Sequence, residues 1–290
     1  IACADWGVLT DSRFRGRVRP ARAWGVEQLT PAQRLAKALH AGVDQFGGES
    51  CPDLVVGLVR AGAVSIQRID VSAWRLLHEK FTLGLFDDRY ADPDAAARTV
   101  GCTRHREAGL AAQRASVTLL TNAGAGSPAH LPLRADLRVY GEGLPVEALR
   151  RIGTPVASPH EAQVAILRLQ APFEHRSGPV EAYFHAGALE FPEQKLRRAL
   201  EVAGTVPTVV DVYLDRPAVM PELAERATTL VATFAVSDEA LADVLRGRAE
   251  PRGRLPFDLP RSMAAVDAAR PDVGFDLADP LFRFGHGLRY

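Results

Sequence analysis

Apolar residues fall along this chain in two alternating rhythms, short near-continuous runs and stretches spaced three and four apart, which predicts strands interleaved with helices. The first run, Ile1-Ala2-Cys3-Ala4, has neither cap nor turn before it and reads as a chain entered inside a buried strand. The Arg-rich, Gly-containing residues 12–22 that follow read as a solvated loop. Thr30 then stands as an N-cap before Pro31 at the first helical position, opening a helix whose apolar face is Leu35, Ala38 and Leu39 and which ends before Gly42. Residues 43–46 read as a short strand and 52–61 as a helix. From Ser65 a further helix carries Ile69, Ala73, Leu76, Leu77, Lys80 and Phe81 at helical spacing.

Two strands cannot sustain a parallel sheet alone, so residues 1–86 look like the tail of a larger domain. An Asp-rich stretch of turn formers begins at Phe86, and residues 87–104 are expected to be a linker. The rhythm then resumes. Helices are predicted at 105–114, 146–152, 192–203 and from Ser237 to Leu245, and strands at 117–121, 137–140, 164–169, 208–214 and 229–234. Near-continuous apolar strands alternating with amphipathic helices indicate a mainly parallel sheet covered on both faces, here over 105–252. Residues 253–290, rich in Pro, Asp and Gly, are expected to be an ordered tail packed on the surface.

Composition narrows the function. Lys+Arg and Asp+Glu both number 35 in 290 residues, so no basic field exists to grip nucleic acid or anionic lipid. No apolar run approaches the roughly 20 residues needed to span a bilayer. The three cysteines, Cys3, Cys51 and Cys102, are odd in number for a disulfide framework and too dispersed for a CxxC metal knuckle, which favours a reducing, cytoplasmic setting. A signal peptide would lie before Ile1, outside this sequence.

Two carboxylates stand where parallel α/β domains gather their chemistry, at the carboxyl ends of predicted strands. Asp5, beside the aromatic Trp6, could act as a glycosidase nucleophile; the alternative is an Asp capping a turn with Trp6 as packing. Glu174, flanked by His175 and Arg176 after the strand ending at Leu169, could donate a proton, with Glu181 as its rival; the bland alternative is a solvated charged loop. The Gly285-His286-Gly287 triplet precedes no helix, so it does not form an anion site, and His286 is expected to be structural. Residues 122–127 read as a plain surface loop, and neither a zinc-protease nor a Walker pattern occurs.

Several segments together, in one order, resemble the family 3 glycoside hydrolases of bacterial β-glucosidase type. They are Ala4-Asp5-Trp6-Gly7, Leu29-Thr30-Pro31-Ala32 through Ala41-Gly42-Val43-Asp44, Arg68-Ile69-Asp70 through Phe81-Thr82-Leu83-Gly84-Leu85-Phe86, Gly253-Arg254-Leu255-Pro256-Phe257, and the closing run from Asp279 to Leu288. The resemblance implies an N-terminally truncated α/β protein, with the last strands of a (β/α)8 barrel followed by an α/β sandwich. It implies a retaining hydrolase releasing terminal β-D-glucosyl residues, with Asp5 as nucleophile, Glu174 (or Glu181) as acid/base and Trp6 stacking on the sugar. In a retaining reaction the two carboxyl groups stand about 5–5.5 Å apart. The family commonly has Ser or Thr where Ala4 stands, which removes a hydrogen bond near the nucleophile. No cofactor or metal is implied. The partner is a carbohydrate, with no nucleic acid or membrane, and a homo-oligomer is left open. With most of the barrel lacking, the chain on its own is expected to be inactive. A β-xylosidase of the same family and a non-catalytic sugar-binding or scaffold module remain as alternatives.

Overall fold

The computed structural model describes residues 1–14, 16–123, 126–177, 181–270 and 272–290, which divide into two units, Ile1–Ala97 and Arg98–Tyr290. The first unit runs β1 (Cys3–Ala4), β2 (Ser12–Phe14), β3 (Arg17–Arg19), α1 (Pro31–His40), β4 (Gln45–Phe46), α2 (Pro52–Arg60) and α3 (Ile66–Thr82). Thr30 accepts the Gln33 N–H while the Gln33 side chain accepts the Thr30 N–H, a capping box that starts α1 where the sequence places it. Its face then delivers Leu35 and Leu39 into a small core with Leu9 and Val64. Crossing by α1 lets β1 and β4 pair in parallel.

Three expectations are corrected in this unit. Among the described residues β1 pairs only with β4, so Ile1 is 53% exposed and the opening strand is not buried. Within the expected loop, β2 and β3 pair antiparallel, with Gly16 at φ +77 before β3. Its charged residues hid the strand period. On α3 the aromatic positions Trp74 and Phe81 are exposed, and the fully covered side is polar. There Ser72 donates to Asp44, which also accepts the Ala2 N–H and Arg75 Nη1. The Ser72 hydrogen bond, followed by that from Ala2, holds the Asp44 carboxyl well below the usual carboxylate range.

α4 (Pro93–Thr99) spans the boundary between the units. The second unit continues with α5 (Thr103–Ser116), β5 (Thr118–Asn122), β6 (Arg138–Glu142), α6 (Val146–Ile152), β7 (Thr154–Pro155), β8 (Val164–Gln170), α7 (Glu193–Thr205), β9 (Thr208–Tyr213), α8 (Pro221–Arg226), β10 (Thr229–Thr233) and α9 (Asp238–Leu245). Its six strands lie in the order β5-β10-β9-β8-β6-β7, all parallel except the edge strand β5. Alternate strand residues feed two cores. Val139, Ile166, Val209 and Val231 pack with Leu149 of α6 and Leu241 of α9, and Leu167, Val210 and Leu230 pack with Val202 of α7 and Leu223 of α8. A parallel sheet so covered is the α/β architecture the apolar runs predict.

The closing segment holds β11 (Leu259–Pro260), α10 (Met263–Ala268) and β12 (Pro280–Phe282), and it corrects the expectation of a surface tail. Leu255 and Leu259 are buried in the second core, the Leu288 N–H bonds to Leu119 O at the free edge of β5, and the His286 ring contacts Leu120 O at 2.8 Å. His286 is thereby structural, as expected. Asn122, placed by sequence in a plain surface loop, instead clamps Leu131 through both its side-chain atoms; Gly124 and Ala125 of that loop lie outside the described residues.

Candidate active site

Asp5 is the first residue beyond β1, at its carboxyl end. Its Oδ1 accepts the Trp6 N–H at 2.8 Å and its Oδ2 accepts from Arg22 Nη1 at 2.7 Å. Exposed ion pairs of this kind contribute about 0–1 kcal/mol, so a hydroxylated ligand can displace the guanidinium at little cost. The facing wall is pinned by Glu49, which accepts from Leu9 N, Thr10 N and Thr10 Oγ1. Between them lies a cavity of about 250 Å³ lined by Asp5, Trp6, Thr10, Arg22, Gly48 and Glu49 among others. Trp6 is 70% exposed, an aromatic face left to solvent next to a carboxylate. Ala4, with only a methyl, offers Asp5 no side-chain hydrogen bond.

Gly47 and Gly48, just past β4, make room for this arrangement. A Cβ on Gly47 would stand 2.7 Å from Ala4 O, and one on Gly48 2.6 Å from the Trp6 indole, with Gly48 at φ +62. Gly7 has a similar φ of +69 but nothing within 4 Å of its Cβ position. Ala at either site therefore carries the left-handed backbone cost of about 1–3 kcal/mol, and only Gly48→Ala also displaces the indole. The three tryptophans, Trp6, Trp24 and Trp74, all lie in the first unit, so tryptophan emission follows it alone. Urea unfolding monitored that way is expected to show both losses, with the larger one and a changed near-UV circular dichroism band for Gly48→Ala. Equal spectra for the two variants would refute the seating of Trp6 on Gly48.

Glu174 follows β8, also at a carboxyl end, in a loop tied to itself. It bridges to Ala186 through its backbone N–H at 2.9 Å, and its Oε1 accepts the Ala188 N–H at 3.1 Å. Gly187 has the left-handed φ of +85 that favours glycine, and a Cβ there, 2.2 Å from Glu174 Cδ, would displace the Glu174 carboxyl group. His185 stacks on Phe173 with centroids 3.7 Å apart and bonds through Nδ1 to Asp215. Arg216 donates to Gly187 O at 2.7 Å. Glu174 is solvent-exposed, with its carboxylate held by the Ala188 N–H. Glu181 begins a short 3-10 turn ending at Tyr183, and its side chain lies outside the described residues.

The structure gathers Asp5 and Trp6 into one pocket and places Glu174 in the other unit. Sequence reasoning missed Arg22, Glu49, His185, Asp215 and Arg216. Only the Gly47-Gly48 pair gave a local signal, since His185 and Asp215 lie 30 positions apart. Among the described residues no His, Cys, Asp or Glu cluster is arranged to hold a metal ion, and no helix is long and apolar enough to cross a membrane.

A parallel sheet wrapped on both faces, with polar loops at its strand ends, defines an α/β domain of the kind that carries enzyme sites. The sequence profile of the glycosyl hydrolase family 3 C-terminal domain matches residues 26–290. Over its whole length the chain is 47% identical to probable beta-glucosidase C of Aspergillus flavus, covering 46% of that protein. Over 99% of its length it is 38% identical to the periplasmic beta-glucosidase/beta-xylosidase of Dickeya chrysanthemi, covering 45% of it. The chain belongs to glycoside hydrolase family 3. The crystal structure of beta-glucosidase from Listeria innocua in complex with gluconolactone has the same fold, with TM-score 0.64 and 22% identity, over 90% of this chain and 44% of that one. The chain spans about half the length of the curated relatives it matches.

Proposed function

We propose that these residues belong to a retaining β-glucosidase, in which Asp5 attacks the anomeric carbon and the loop after β8 supplies the acid/base. The observation that carries this reading is the pocket around Asp5, where a solvent-facing carboxylate and an open indole stand at the end of a parallel strand. Identity of 47% to a protein named as a probable beta-glucosidase supports it. In this reading β1 and β4 are strands of a larger (β/α)8 barrel, and the 290 residues alone are inactive. Asp5 releases the leaving group by forming a glycosyl ester. Glu174 first gives its proton to the leaving oxygen and then takes one from the water that cleaves the ester. Trp6 stacks on the sugar, and Arg22 yields Asp5 to it.

The acid/base has two candidates, because Glu174 also closes its own loop through Ala188 and Gly187. A protein of the relatives' length carrying these residues is to be assayed with a nitrophenyl and an alkyl β-glucoside. Loss of the acid slows the poor leaving group by about 10²–10⁴-fold while sparing the good one. Glu174→Ala is expected to show that split and Glu181→Ala is not. The reverse result moves the role to Glu181, and unchanged relative rates in both variants remove it from this loop. A β-xylosidase is the second reading, favoured by the double name of the Dickeya chrysanthemi relative. Parallel rates on aryl β-glucoside and aryl β-xyloside separate the two.

A further inference from the structure

The loop that leaves β8 at Ala171 and returns at Leu189 is gripped by the loop that follows the neighbouring strand β9. The Ala171 N–H donates to Tyr213 O and the Val219 N–H donates to Leu189 O, which fastens both roots. Between the roots Arg216 reaches both arms, with Nη2 donating to Gly187 O at 2.7 Å and Nη1 to Pro172 O at 3.4 Å. Farther out, Asp215 bonds to His185 Nδ1. A carboxylate can only accept, so Nδ1 carries the proton, and this bond sets both the tautomer and the bearing of the ring. Held that way, the imidazole lies 3.7 Å from the Phe173 ring and only 6° from parallel to it.

These contacts converge on Glu174. Phe173 precedes it on one arm. On the other arm His185 precedes Ala186, whose carbonyl accepts the Glu174 N–H at 2.9 Å, and Gly187 precedes Ala188, whose N–H holds Glu174 Oε1 at 3.1 Å. Because Glu174 is exposed, no core packing sets its direction, and the two arms must do so. Each bond adds only about 0.5–1.5 kcal/mol to stability. A proton donor, however, must come within about 2.6–3.2 Å of the atom it serves, and a misplacement of about 1 Å can cost roughly 10²-fold in rate. The placement these bonds give the carboxyl therefore outweighs what they add to the fold. A purely structural role for His185 and a role in placing Glu174 differ in one observable, the dependence of rate on the leaving group.

We propose that His185, oriented by Asp215 and stacked on Phe173, is a positioning residue for proton transfer by Glu174. It acts through Phe173 and the bridge between Glu174 and Ala186, and the proposal rests on Glu174 being the acid/base. Hydrogen exchange in the 290-residue chain reads the holding without catalysis. His185→Ala is expected to speed exchange of the Glu174 and Ala188 amides about tenfold, the loss of roughly one hydrogen bond, while β8 and β9 stay slow. His185→Asn, whose amide can still donate to Asp215, is expected to recover part of that protection. In a protein of the relatives' length, His185→Ala is expected to slow an alkyl β-glucoside about 10–10²-fold more than a nitrophenyl one. That ratio is expected to be smaller for His185→Asn, and His185→Ala is expected to add nothing to it once Glu174 is already Ala. A residue needed for stability alone slows both substrates alike. If His185→Ala does not fold, Asp215→Ala carries both comparisons. Unchanged exchange at Glu174 and Ala188, or equal slowing of the two substrates where Glu174→Ala does discriminate between them, would overturn the positioning role alone. A ratio that still changes in the Glu174→Ala background would make His185 a proton donor in its own right and overturn it as well. If Glu174→Ala itself fails to discriminate, the acid/base reading of Glu174 falls and this proposal falls with it, whatever the exchange shows.

Discussion

Asp5→Ala, in a protein of the relatives' length that carries these residues, is expected to lower kcat on an aryl β-glucoside by about 10⁴-fold or more, the scale on which losing a covalent nucleophile acts. Asp5 has a structural alternative, since it accepts the Trp6 N–H and holds Arg22. Magnitude decides between the two. Losing an exposed ion pair and one backbone hydrogen bond removes about 1–2 kcal/mol together, equivalent to roughly 5–30-fold at most even if all of it fell on the transition state. A second signature is stereochemical. Azide added to Asp5→Ala enters from the face the carboxylate vacated and gives the glycosyl azide of inverted configuration, visible by NMR. Azide added to the acid/base variant attacks the glycosyl ester and gives the retained product. Arg22→Ala, which removes only the weak partner, is expected to change kcat by less than about tenfold. Activity of Asp5→Ala within tenfold of the parent would return Asp5 to the role of a turn residue.

What the sequence disclosed depends on how local each signal is. The capping box at Thr30 and Gln33 is complete within four residues, and α1 begins where it says. Ser237 before α9 is the same case. The near-continuous apolar runs read as strands at 164–169 and 208–214 correspond to β8 and β9, which lie at the middle of the sheet. Signals that live in pairs far apart were silent. The antiparallel pair β2 and β3 has charges where an apolar alternation would have announced it, and the burial of Leu255 and Leu259 depends on a core built by other elements. The site follows the same division. Asp5, Trp6 and Glu174 were legible as carboxylates and an aromatic after strands, whereas the residues that hold them, Arg22, Glu49, His185, Asp215 and Arg216, are joined only by the fold.

Arg168→Met is expected to be among the most destabilising single changes in the second unit, at about 3–5 kcal/mol, the usual cost of stranding one member of a buried ion pair. Arg168 and Asp211 stand side by side on β8 and β9. Asp211 is fully buried, and its Oδ1 accepts from Thr233 at 2.8 Å. Its Oδ2 lies 3.1 Å from Arg168 Nε but forms no aligned hydrogen bond, because the guanidinium is directed to Asp238 Oδ1 and Val236 O. Burial therefore outweighs the positive charge and pushes the Asp211 carboxyl up to about 6. The sign of the pH response follows. Between about pH 4 and 6 the native chain keeps a proton that the unfolded chain has released, so this group's contribution is fully present below about pH 4 and is lost as pH rises through about 6. Removing the guanidinium extends that decline upward, so Arg168→Met recovers part of its stability in acid. Replacing both partners with apolar residues, Arg168→Met with Asp211→Val, leaves no charge to strand and is expected to fall close to the parent, with the Asp211 part of the slope gone. Asp44 responds in the opposite sense, losing its contribution as pH falls below its unfolded value of 3.8. It lies in the unit that holds all three tryptophans, so hydrogen exchange of β8, β9 and β10 is the readout that isolates Asp211. A double variant no more stable than Arg168→Met alone would show that the arginine acts through Asp238 and Val236 instead.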